Sequence, residues 1–161
     1  MRRFAVLCSL TLALCLAAVP AFAVQKQLPN DITLDQAQSI LKAALVKAEE
    51  INVPMNIAIV DAGGNLKAFY HMDNAFLGSI DISIKKAVTA RKFNMPTAVL
   101  GTVSQPGQEL YGIEVTNDGL VIFGGGELLI KDDMIIGAIG VSGGSVAEDT
   151  SVAQAGAAVL K

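Results

Sequence analysis

The run Met134 to Ser142 constrains the fold more than any other stretch of this chain. It carries no charge, and it alternates Ile135, Gly137, Ile139 and Val141 with Ile136, Ala138, Gly140 and Ser142, the two-residue period of a strand. One of its faces therefore holds mostly small groups. Another element must press close against the backbone there, either a helix or a neighbouring subunit.

The rest of the chain supplies helices and further strands for that run to pack with. Thr33-Leu34-Asp35-Gln36 reads as a capping box, and Leu34, Ala37, Ile40, Leu41, Ala44, Leu45 and Ala48 follow at helical spacing until Asn52-Val53-Pro54. Asn56 to Val60 and Leu66 to Met72 are β-like runs joined by Asp61-Ala62-Gly63-Gly64-Asn65, which predicts an antiparallel hairpin. Ser79 to Phe93 returns to helical period, with Ile80, Ile84, Ala87 and Val88 on one face and Lys85, Lys86, Arg91 and Lys92 elsewhere; Met95-Pro96 stops it.

Residues 101–119 are rich in glycine and poor in periodic apolar positions, which predicts a long loop with a helical turn. Short strands are expected at Leu120 to Phe123 and Leu128 to Ile130, the latter joined to the small-residue strand by Lys131-Asp132-Asp133. Ser145-Val146-Ala147-Glu148 is a second capping box, opening a helix that buries Val152, Ala155, Gly156 and Val159. The expected fold is α+β, an antiparallel sheet of about five strands flanked by helices.

Arg2 and Arg3 stand before an apolar run from Phe4 to Val19, and Ala21-Phe22-Ala23 supplies a small-x-small cleavage pattern. The apolar run is shorter than the roughly 20 residues a spanning helix needs. Residues 1–23 are thus expected to be a signal peptide, residues 24–161 a single mature domain, and the destination periplasmic or extracellular. Cleavage removes Cys8 and Cys15, leaving no thiol, disulfide or cysteine metal ligand. The remaining 10 basic and 15 acidic residues give a net charge of −5, which argues against nucleic acid or anionic membrane as a partner. With 52% of its residues apolar, so short a chain is expected to bury part of that surface in a homo-oligomer.

His71 is the one histidine, and the only neutral nitrogen available to iron or zinc. Without cysteine a tetrahedral His/Cys zinc site cannot form, but haem needs as few as one protein ligand, because its burial is mainly apolar. The competing reading is a solvent-facing histidine sharing a strand face with Lys67 and Phe69. Triad catalysis has little support, since Gly140-Val141-Ser142-Gly143-Gly144 places its second glycine one position late for a nucleophile elbow. Gly143-Gly144 reads better as part of a cap than as an anion site, because Glu148 and Asp149 already bring negative charge there. Gly124-Gly125-Gly126 reads as a bend or a close backbone approach.

Taken together, Ile59-Val60-Asp61 to Gly64-Asn65-Leu66, Met72-Asp73-Asn74-Ala75, Ser79-Ile80-Asp81-Ile82, Lys86-Ala87-Val88-Thr89-Ala90, the triple glycine and Gly137 to Gly144 with Glu148-Asp149 resemble the GlcG/HbpS family. That resemblance covers nearly all of residues 24–161. It implies a GlcG-like, profilin-like sandwich, homo-oligomers, and haem or a related tetrapyrrole as ligand; the domain also occurs in PduO-type cobalamin adenosyltransferases. As the one histidine, His71 is the expected metal-binding residue; the Lys86-Ala87-Val88-Thr89-Ala90 motif offers Thr89 as the alternative iron ligand, with Lys86 and Arg91 near enough on that helix to meet propionates. The expected pocket lies between subunits and is lined by Phe69, Tyr70, Phe76 and Phe93. For Thr89 the rival role is a helix-interior hydroxyl bonded back to a carbonyl.

Two positions depart from the family pattern: His71 stands where relatives usually carry arginine, and Glu127 where proline is common. Three functions follow from the resemblance: binding haem for scavenging, storage or sensing; degrading haem or acting on a small organic acid, with 101–119 as a lid; or serving as a non-catalytic partner of a membrane sensor or transporter. No residue is singled out as catalytic.

Overall fold

Both predicted capping boxes are formed. In the computed structural model, which describes residues 30–160, the Thr33 hydroxyl accepts from the Gln36 N–H at 3.2 Å and the Gln36 side chain accepts from the Thr33 N–H at 2.9 Å, opening α1 (Leu34–Glu50). The hairpin β1 (Asn56–Asp61) and β2 (Leu66–His71) follows, then α2 (Gly78–Phe93), the short α3 (Thr97–Thr102), β3 (Gly126–Lys131) and β4 (Met134–Ser142). Ser145 and Glu148 make the second box at the start of α4 (Val146–Ala157). The expected signal peptide, residues 1–23, lies outside the described residues.

The four strands form one antiparallel sheet in the order β2-β1-β4-β3. Helices cover both faces. Against one face α1 and α4 bury Ile40, Leu41, Ala44 and Val152 with Ile57, Ile59, Leu129, Ile139 and Val141. Against the other, α2 packs Ala87 and Ala90 on Ala58, Val60 and Ala138. The close neighbour demanded by the small-residue face of β4 is α2: a Cβ on Gly140 would lie 2.0 Å from the Ser83 carbonyl oxygen and 2.5 Å from the Ala87 nitrogen.

Four expectations need correction, the simplest being Val159, which lies beyond α4 and is exposed rather than on its buried side. The sheet has four strands among the described residues rather than about five, because Leu120 to Phe123 is not a strand. Its Val121 N–H donates to the Thr89 hydroxyl at 3.1 Å, and its Ile122 carbonyl abuts Gly101 of α3, so this backbone is engaged by helices. Ile136 leaves the small-residue face: Leu129 pairs with Gly137 and Ile130 with Ile135, a bulge that sends Ile136 into the core beneath α1. In α2, Lys86 is not on the polar face. Close contact with Gly140 turns Ser79, Ser83, Lys86, Ala87, Thr89 and Ala90 inward, leaving Ile80, Ile84 and Val88 half-buried.

Candidate functional site

Antiparallel register sets Asn56 directly across from His71 on neighbouring strands, so their side chains share one face of the sheet. Asn56 is fully buried, whereas His71, on edge strand β2, is exposed. Asn56 Oδ1 lies 2.6 Å from His71 Nδ1, and Asn56 Nδ2 donates to the Phe76 carbonyl at 3.1 Å. Beside them runs an open groove of about 540 Å³, lined by Leu45 and Glu49 of α1, Phe69, Tyr70 and His71 of β2, and Met72 and Asp73 beyond it. Its volume falls in the range of small-molecule sites, and its walls combine apolar and aromatic groups with a few polar ones.

The structure does not bring the residues singled out from sequence to one place: of the expected pocket residues Phe69 and Tyr70 line the groove, and Phe76 and Phe93 do not. Phe69 and His71 lie together on β2, Phe69 half-buried against the α2-side core. Tyr70 is partly exposed on the same strand, and Phe76 is 70% exposed in the turn held by Asn56. Phe93 is half-buried at the last position of α2. Arg91 is half-buried, with Nη1 donating to Asn94 Oδ1 at 2.6 Å.

Lys86 and Thr89 sit instead in the interior. Lys86 has no exposed surface; its Nζ donates to Asp149 Oδ2 at 2.6 Å and to the Val141 carbonyl at 2.8 Å, and lies 4.8 Å from the centre of the Phe123 ring. Burial pulls its pKa down from the ordinary lysine value, while the hydrogen bond and charge of Asp149 pull it back up. Asp149 Oδ1 accepts from the Gly144 N–H at 3.0 Å. Thr89 accepts from Val121 rather than bonding back along its helix.

The triple glycine belongs to this cluster: Gly125 has φ +110°, and a Cβ there would lie 2.7 Å from Lys86 Nζ. It is the expected close backbone approach. Sequence reading missed Asn56 and the pairing role of Asp149; a polar residue opening a buried strand signals Asn56, but only the register shows its partner.

Among the described residues no three His, Cys, Asp or Glu side chains come together to hold a bare metal ion. A tetrapyrrole brings four of its own nitrogens, so one exposed imidazole in an aromatic groove matches what it requires of the protein.

The model of the family described as haem degrading protein, HbpS-like, matches residues 32–158. The chain belongs to the HbpS-like family. A 15.0 kDa protein from the dhaT-dhaS intergenic region of Citrobacter freundii is 45% identical over 124 residues, covering 76% of this chain and 87% of that one. The corrinoid adenosyltransferase PduO of the same organism is 37% identical over 130 residues, which is 80% of this HbpS-like chain but 39% of PduO. Among solved structures, the PduOC–haem complex superposes with a TM-score of 0.78 at 37% identity, covering 81% of this chain and 96% of that one. The HbpS-like fold expected from the motifs is thus present.

Proposed function

We propose that this is an exported haem-binding protein that holds haem through His71 at the β2 edge. The observation that carries the reading is the one histidine of the chain, exposed on an aromatic-lined groove of about 540 Å³. Membership in the HbpS-like family and likeness to a haem-bound domain support haem as the ligand. His71 would hold the iron, with Tyr70 and Phe69 against the apolar macrocycle; bound haem would supply redox-active iron. Lys86 and Thr89 serve the fold in this reading, because they are enclosed.

The groove is open on one side, and Phe76, Leu77, Tyr111 and Val115 are 65 to 82% exposed. Apolar exposure on this scale supports a homo-oligomer in which a second copy completes the pocket. Titrating hemin into the purified protein is expected to give a saturable Soret shift, altered in His71→Ala. No saturable shift at micromolar hemin overturns the proposal.

A further inference from the structure

We infer that Asn56 is the positioning residue for His71, fixing the imidazole with its proton on Nδ1 and presenting Nε2 as the ligating nitrogen. The identity of the ligand rests on the haem reading above; the hold on the ring does not. A buried amide must satisfy both of its ends from the protein. Asn56 has no exposed surface, and its NH₂ group has the Phe76 carbonyl as acceptor at 3.1 Å. Turning the amide over would set its oxygen against that carbonyl, acceptor facing acceptor. Oδ1 therefore faces His71, and at 2.6 Å it must accept a proton that only Nδ1–H can give.

The tautomer of a histidine is set by the hydrogen bond that one ring nitrogen makes, and here that bond leaves the lone pair on Nε2, on the side of the ring away from Asn56. This is the arrangement in which metal-ligating histidines are found, one nitrogen donating to a carbonyl-type oxygen and the other free for the metal. The amide is itself fixed from both sides. Its backbone is paired with His71 in β2 and with Ser142 in β4, and the turn it grips is tied down by the Met72 N–H donating to the Met55 carbonyl at 3.1 Å. Asn56 thus couples the ligand ring to the turn bearing exposed Phe76 and Leu77.

The chain contains one histidine, so long-range ¹H–¹⁵N spectra of untagged, haem-free protein at pH 8 report a single imidazole. The expected spectrum has a protonated Nδ1 and a bare Nε2. Asn56→Leu removes the acceptor and should move the proton to Nε2. In hemin titrations Asn56→Leu should weaken binding by about 10- to 100-fold. A wild-type ring carrying its proton on Nε2, or an Asn56→Leu variant that binds hemin as tightly as wild type, overturns the inference. Should Asn56→Leu unfold, the wild-type spectrum decides the matter alone. A wild type with protonated Nδ1 and no saturable hemin shift removes the haem reading and keeps the hold of Asn56 on the ring. Hemin binding with the proton on Nε2 of the free ring does the reverse.

Discussion

Lys86 Nζ and Asp149 Oδ2 stand 2.6 Å apart, with 0% and 4% of their side chains exposed, and join α2 to α4 past the end of β4. Gly125 and Gly126 let the chain pass beside the pair. A buried pair of this kind is weak evidence for net stability, because desolvation offsets much of the attraction. Its significance lies in what happens when one member is lost.

Lys86→Met should therefore destabilise the protein by about 3–5 kcal/mol, since it leaves the Asp149 carboxylate buried with the Gly144 N–H as its remaining partner. Replacing both residues, as in Lys86→Met with Asp149→Leu, should cost less than the sum of the single changes. Urea denaturation of the three variants measures this. Additive losses would show that the two charges act independently.

How much of this was legible in the sequence depended on whether a residue's partner was local. The caps at Thr33 and Ser145 were readable because their partners lie three residues away. The small face of β4 was readable because a strand's period is two. Lys86 was misplaced in expectation, because an apolar-face argument assigns lysine outward, and Thr89 was expected to bond back along its helix; nothing local reveals Asp149, 63 residues on, or Val121, 32 residues on. Leu120 to Phe123 looks like a strand by composition; which element takes its hydrogen bonds is a tertiary fact. Asn56 was hidden for the same reason.

Gly140 should tolerate no side chain. The Cβ of Gly140→Ala would meet backbone atoms of α2 at 2.0 and 2.5 Å, and a helix backbone cannot yield as a flexible side chain can. Overpacking typically costs about 1–3 kcal/mol, and this contact belongs at or above the top of that range. Thermal unfolding of Gly140→Ala tests it; a melting temperature equal to wild type would mean that α2 does not sit on β4 as described.

The export we propose predicts a protein that begins at Val24 with no free thiol, because Cys8 and Cys15 both precede that cut. N-terminal sequencing of the protein recovered from outside the cytoplasm, with a thiol assay under denaturing conditions, checks both points. A retained Met1, or two thiols per chain, would sink the export reading.

Glu127 makes stability depend on pH in a predictable direction. It is half-buried on edge strand β3, where the Gln154 side chain donates to Oε1 at 3.4 Å. Burial raises its pKa above the ordinary glutamate value, and the Gln154 hydrogen bond opposes that only in part. A folded-state pKa above the unfolded one means that the folded protein prefers the protonated carboxyl. The stability this contributes is fully present below the unfolded value of about 4.3 and is lost as pH rises through the higher folded value. Glu127→Gln, which keeps the shape without the titration, should therefore gain stability over wild type at pH 7 and lose that advantage near pH 4. Unfolding free energies of the two proteins across that range measure the difference; an advantage that grows on acidification would show that the carboxylate is held charged.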